Sequence, residues 1–177
     1  MTEATLAPDL DLKAINALDR GNFVAEFGST FEHSPWVAEG AWTARPFANL
    51  DALHGAMIGV VRSAPRATQI DFLCGHPELA GKEAEAGTMT HESVGEQASA
   101  GLNALSRDEI AELRQLNARY LERHSFPFII AVRRYGKREI FEQLRARIER
   151  DSDTELAEAL TQIGIITRLR VQAKVAA

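Results

Sequence analysis

Apolar positions recur along this chain mostly at helical spacing. Leu50, Leu53, Met57, Val60 and Val61 follow Asn49, a residue type that caps helix N-termini, and Pro65 marks the break after them. Ser106-Arg107-Asp108-Glu109 is a capping-box pattern, in which the serine and glutamate side chains each accept a backbone N–H at the helix start. Behind it Ile110, Leu113, Leu116, Tyr120 and Leu121 line one face of a long helix. A second box, Ser152-Asp153-Thr154-Glu155, precedes Leu156, Ala159, Leu160, Ile163, Ile166 and Leu169. Arg168, Arg170 and Lys174 fall towards the end of that helix, where cations suit the dipole. Ile140, Phe141, Leu144 and Ile148 predict a further helix from about Lys137 to Arg150.

Two segments break this rhythm. Ser34-Pro35-Trp36 to Arg45-Pro46-Phe47 is aromatic and proline-bearing, and reads as loop or short helix. Phe126-Pro127-Phe128-Ile129-Ile130-Ala131-Val132 is a short apolar run that cannot pass through Pro127 as a helix. No second strand of similar quality appears, so the run has no ladder partner and reads as a buried extended linker. Its backbone N–H and C=O groups then need partners, and a polar ligand is one candidate. Gly81 to Thr90 is glycine-bearing and acidic, and reads as a surface loop. The pattern as a whole predicts an all-α fold. It is a single-domain multi-helix bundle over residues 1–177, with one buried extended segment near 126–132.

Composition acts mainly by exclusion. The net charge is -5, and the 20 basic residues form no stripe, which argues against a nucleic-acid partner. No apolar stretch approaches the roughly 20 residues of a membrane span, and the first residues lack a signal-peptide pattern. A cytoplasmic protein with no membrane partner is the expectation. Cys74 is the only cysteine, so no internal disulfide and no cysteine-rich zinc site can form. Its place on an apolar helix predicts an inert buried thiol.

Candidate chemistry concentrates in two pieces. His76 precedes Pro77, so its backbone is biased to extended geometry just after a helix bearing Ile70, Phe72 and Leu73. With an unperturbed pKa of about 6.5, an imidazole there can shuttle protons, or it can be a plain capping histidine. Ser93, Glu96 and Gln97 share one helical face and offer a hydroxyl, a carboxylate and an amide, either to a small polar substrate or to solvent. His91-Glu92 begins like a zincin motif, but Gly95 stands where the second histidine would be, so no metal site is predicted.

Taken in order, these residues resemble the OHCU (2-oxo-4-hydroxy-4-carboxy-5-ureidoimidazoline) decarboxylases of urate degradation. The resemblance runs from Phe31-Glu32-His33-Ser34-Pro35-Trp36-Val37-Ala38 and Arg45-Pro46-Phe47 through His76-Pro77-Glu78-Leu79-Ala80-Gly81-Lys82 and Ser93-Val94-Gly95-Glu96-Gln97. It goes on through Ala100-Gly101-Leu102, Leu116-Asn117, Tyr120, the Phe126 to Arg133 run, Lys137 and Leu169-Arg170-Val171. Departures are Val171, where leucine is more usual, and His124-Ser125 before the Phe-Pro-Phe run.

The resemblance implies an all-helical domain, usually a homodimer, that decarboxylates OHCU to (S)-allantoin without a cofactor. It implies His76 as catalytic acid/base and Glu96 as its assistant. It implies substrate contacts from Pro77, Ser93, Glu96, Gln97 and the backbone of Phe128, Ile129, Ile130, Ala131 and Val132. The Leu-Arg-aliphatic pattern adds Arg170, with Arg168 as the alternative. Two other readings compete: a non-catalytic binding or scaffold protein of the same fold, and a ureide hydrolase. Retention of His76, Glu96 and Gln97 together disfavours the first, and the lack of a clear ligand cluster for the metal such hydrolases mostly need disfavours the second.

Overall fold

The structure, a computed structural model, describes residues 10–176. Side-chain caps start most of its helices. Asp11 accepts Ala14 N–H to open α1 (Leu12–Ala17), and Asp19 accepts Asn22 N–H to open α2 (Arg20–Phe27). Pro35 occupies the first position of α3 (Pro35–Trp42), where its missing N–H costs no helical bond. Asn49 accepts Ala52 N–H and opens α4 (Leu50–Arg62) as the sequence predicts. After these come α5 (Arg66–Cys74), α6 (Lys82–Ala86), α7 (His91–Ser99) and α8 (Arg107–His124). A 3-10 turn at Val132–Arg134, α9 (Lys137–Ile148) and α10 (Ser152–Lys174) complete the order. The described residues form no sheet, only a single parallel bridge between Leu10 and Val175, so the fold is all-α. No helix among them is long and apolar enough to cross a membrane.

The chain folds as two compact units, one of residues 10–63 with 167–176 and one of residues 64–166. In the first, α2, α3 and α4 pack in succession around Phe23, Phe27, Phe31, Leu53 and Met57, all buried. Gly40 lets α3 approach α4, because a Cβ there would meet the Val60 side chain at 2.9 Å. Arg45 ties the piece after α3 back to the end of α1: its Nη1 donates to the carbonyls of Asn16 and Leu18 at 2.8 and 2.7 Å. The guanidinium also lies over the Trp42 ring, 4.2 Å from its centroid.

In the second unit, surface ion pairs fix the sense of α8 against α9. Glu109 meets Lys137, Glu112 meets Arg145, and Arg119 meets Glu149 just past the end of α9. Numbers rise together along both helices, so the two run parallel. Parallel neighbours cannot be joined by a tight turn; the chain must first travel back along α8. Eighteen residues of α8 rise about 27 Å, and about eight extended residues cover that distance. The Phe126–Val132 run is this return path, and every residue from 126 to 132 is buried, as the sequence predicts.

Three expectations are corrected. The segment 81–90 is not simply a surface loop, since it contains α6, closed by Gly87 in the left-handed conformation. The second capping box does not form. Asp151 caps α10 instead, accepting Asp153 and Thr154 N–H, while Ser152 Oγ donates to Arg123 O and Glu155 turns into the core. Aspartate one residue earlier outcompetes the serine because its two oxygens accept several donors at once. Cys74 is exposed, not buried, and its Sγ lies 3.5 Å from Ser125 O.

Candidate active site

His76 lies two residues past α5, with its N–H on Leu73 O at 3.0 Å. The side chain is buried, 8% exposed, and folds back along the helix end. Its Nδ1 is 3.1 Å from Phe72 O, and its ring packs edge-on against Phe72 with centroids 4.8 Å apart. A carbonyl only accepts, so Nδ1 carries the hydrogen. In the neutral ring the lone pair then belongs to Nε2, which makes Nε2 the basic atom.

Pro77 follows, half-buried, and the chain turns over Glu78–Gly81 with Gly81 N–H on Glu78 O. Only glycine fits position 81, since a Cβ would lie 2.7 Å from Glu78 Cβ. Ala80 adopts φ +45°, so this turn needs outside support. Two side-chain amides supply it. Gln97 accepts Ala80 N–H at 2.9 Å and donates to Glu78 O at 3.2 Å. Asn117 of α8 donates to Leu79 O at 3.1 Å. Three successive residues behind His76-Pro77 are thereby held from α7 and α8. Burial, and then the neighbouring Glu83, push the Glu78 carboxyl above its ordinary value.

Thr90 caps α7 by accepting Ser93 N–H, which sets the helix register. Ser93 and Gln97 are buried and Glu96 is half-buried, so the predicted polar face does turn inward. α7 also packs against the 3-10 turn at Val132–Arg134, where the extended segment ends. Gln97 thus ties α7 to the turn that follows His76-Pro77, and the same helix meets the exit of the Phe128–Val132 run. Gln97 is already engaged at both ends of its amide, with Met89 Sδ a further neighbour of Nε2 at 3.4 Å.

Arg170 belongs to the other unit. It is buried there, its Nη1 2.9 Å from Glu32 Oε1 and 3.2 Å from Thr30 O. Glu32 itself holds φ +52°. Arg168 is more exposed and pairs with Asp51 at 2.8 Å. A cavity of about 480 Å³ opens beside α7, lined mainly by apolar side chains that include Met89, Val94, Ala98, Leu102 and Ile110. Gln97 reaches its wall as well, but Val94 and Ala98 lie about 100–160° round the helix from Ser93 and Glu96, so those two side chains leave α7 on another face.

Sequence reasoning overlooked Asn117, Arg147 and Gln162 as supports of these segments. Each is a polar residue at a core register position of its helix: Asn117 beside Leu113, Leu116 and Tyr120, Arg147 beside Leu144 and Ile148, and Gln162 beside Ala159 and Ile163. A polar side chain breaking an apolar stripe is the signal that would have marked them.

Known proteins resemble this chain over nearly its whole length. The sequence profile of the OHCU decarboxylase family matches residues 16–172. A 2-oxo-4-hydroxy-4-carboxy-5-ureidoimidazoline decarboxylase from Haloferax volcanii is 40% identical over 163 residues, covering 92% of this chain and 95% of that protein. The uric acid degradation bifunctional protein PucL of Bacillus subtilis is 41% identical over 157 residues, 89% of this chain, but the match spans only 31% of that longer protein. Among solved structures, an (S)-allantoin synthase superposes over 94% of this chain and 54% of that one, with a TM-score of 0.72 at 23% identity, which is a likeness of fold. With a profile match over nearly its whole length and a 40% identical relative matched almost end to end, the chain belongs to the OHCU decarboxylase family.

Proposed function

We propose that this protein decarboxylates OHCU to (S)-allantoin and CO2 in urate degradation, with no cofactor. The observation that carries the proposal, beside family membership, is the His76 Nδ1 bond to Phe72 O, which presets Nε2 as a base in a buried setting. The substrate bears a hydroxyl and a carboxylate on one ring carbon and a C=N on the next. Nε2 accepts the hydroxyl proton, the carbon–carboxylate bond breaks with release of CO2, and its electron pair moves towards the C=N nitrogen, which takes up a proton from solvent. The substrate is thus its own electron sink. The imidazolium then returns a proton to the neighbouring carbon from one face, which gives a single enantiomer. Positioning and proton transfer are all that the protein must supply.

Glu96 orients the imidazole or the substrate hydroxyl. Pro77, Ser93, Gln97 and the backbone of Phe128, Ile129, Ile130, Ala131 and Val132 form the substrate contacts. Gln97 contributes chiefly by holding the Glu78–Ala80 turn, given its two backbone bonds. For Arg170, preferred over Arg168, the proposal rests on the family pattern together with its burial and its fixed guanidinium. A cytoplasmic homodimer is part of the same reading.

The test is optical. Protein added to freshly generated OHCU should accelerate appearance of a circular-dichroism signal of one sign. A racemic product forming at the spontaneous rate contradicts the proposal.

A further inference from the structure

We propose that Arg147 and Gln162 are positioning residues that aim the backbone of Ile130 at the substrate. Its N–H and C=O then present a donor and an acceptor to a planar amide or ureide group. This deepens the reading above and rests on it, specifically on the Phe128–Val132 backbone as a substrate contact.

Two peptide planes flank Ile130, and each is pinned by one buried side chain. Arg147 Nη1 donates to Ile129 O at 2.9 Å. Gln162 Oε1 accepts Ala131 N–H at 2.9 Å. A trans peptide is planar, and its C=O and N–H point in opposite directions. Fixing Ile129 C=O on Arg147 therefore turns Ile130 N–H away from Arg147. Fixing Ala131 N–H on Gln162 likewise turns Ile130 C=O away from Gln162. The two side chains together set both polar groups of one buried residue, and buried backbone groups call for partners.

Both pins are themselves immobilised. Gln162 Nε2 donates to Glu158 at 2.7 Å, which fixes the amide so that its oxygen faces Ala131. Arg147 is 1% exposed, its Nε 2.9 Å from Glu155 Oε2, with its guanidinium 4.6 Å from the Phe128 ring centroid. Tyr120 donates to Glu155 at 2.6 Å and packs edge-on against Phe128. A buried ion pair is seldom more stable than apolar residues of the same volume. What the guanidinium adds, and an apolar side chain cannot, is a directed donor to the Ile129 carbonyl.

Kinetics on the full chain test this. Gln162→Leu removes the acceptor at similar volume and should raise KM for OHCU about tenfold while changing kcat less than about twofold. The exchange Gln162→Glu with Glu158→Gln restores an acceptor at 162 and a donor at 158, and should return KM close to the parent value. Should Gln162→Leu not fold, Arg147→Lys carries the same expectation, because it keeps the charge beside Glu155 but loses the planar fork. A folded variant whose melting temperature falls while KM stays at the parent value overturns the proposal, since that is what a merely structural role would give. An exchange variant that folds without recovering KM also overturns it. A parent protein that does not turn over OHCU overturns the underlying reading instead, a separate outcome.

Discussion

At the scale of single residues, backbone conformation and tautomer matter most. Ser125 closes α8 in the left-handed region at φ +66°, a position where glycine has no steric penalty. Ser125→Gly should therefore stabilise the protein by about 0.5–1 kcal/mol, the strain relief exceeding the entropy of the freer unfolded chain. A thermal melt checks this: the midpoint should rise by about 2–4 °C per kcal/mol, and an unchanged or lower midpoint contradicts it. His76 shows how a main-chain carbonyl decides chemistry. Phe72 O selects which ring nitrogen keeps its proton, a choice the residue order alone does not reveal. Cys74 teaches the reverse lesson: an apolar neighbourhood in sequence put the thiol on the inner face, whereas the helix turns it outward.

Among elements, α8, α9 and α10 meet through charges of very different worth. Glu155 is fully buried against Arg147, while Glu149 and Arg119 pair in solvent. Glu155→Ala strands the Arg147 charge and should cost about 3–5 kcal/mol, whereas Glu149→Ala should cost under about 1 kcal/mol. Urea midpoints of the two variants give the comparison, and equal losses would contradict it. The same elements show what the sequence carries and what it hides. Asn49 and the Ser106–Glu109 box mark helix starts because capping is local chemistry, and Pro127 with its β-branched neighbours marks the extended run for the same reason. α6 has only five residues, too few for a periodic stripe to develop. The Ser152 box failed because Asp151, one residue upstream, is a competing acceptor. The candidate site was legible as residue types at His76 and on the α7 face. Its supports from Asn117, Arg147 and Gln162 were not, since they join residues between 18 and 38 positions apart.

On the scale of the whole molecule, stability should carry one identifiable pH signature. His54 of α4 lies 2.9 Å from Thr167 Oγ1. Burial, followed by the charges of Arg168 and Arg62, pushes it from 6.5 down to about 4. The unfolded chain then binds this proton before the folded one does, so stability is full above about 6.5, declines as pH falls, and levels off below about 4. His54→Gln should flatten the melting temperature across that window relative to the parent; parallel curves would contradict the assignment. Family membership extends over nearly the whole chain, from residue 16 to 172, so the chemistry it brings must be met by this chain's own groups. The most direct measurement compares parent and His76→Ala on freshly generated OHCU, following product handedness by circular dichroism. The parent should form one enantiomer rapidly. The variant should give slow racemic product at the uncatalysed rate with an unchanged helical spectrum. Stereospecific turnover by His76→Ala at the parent rate would contradict the proposal.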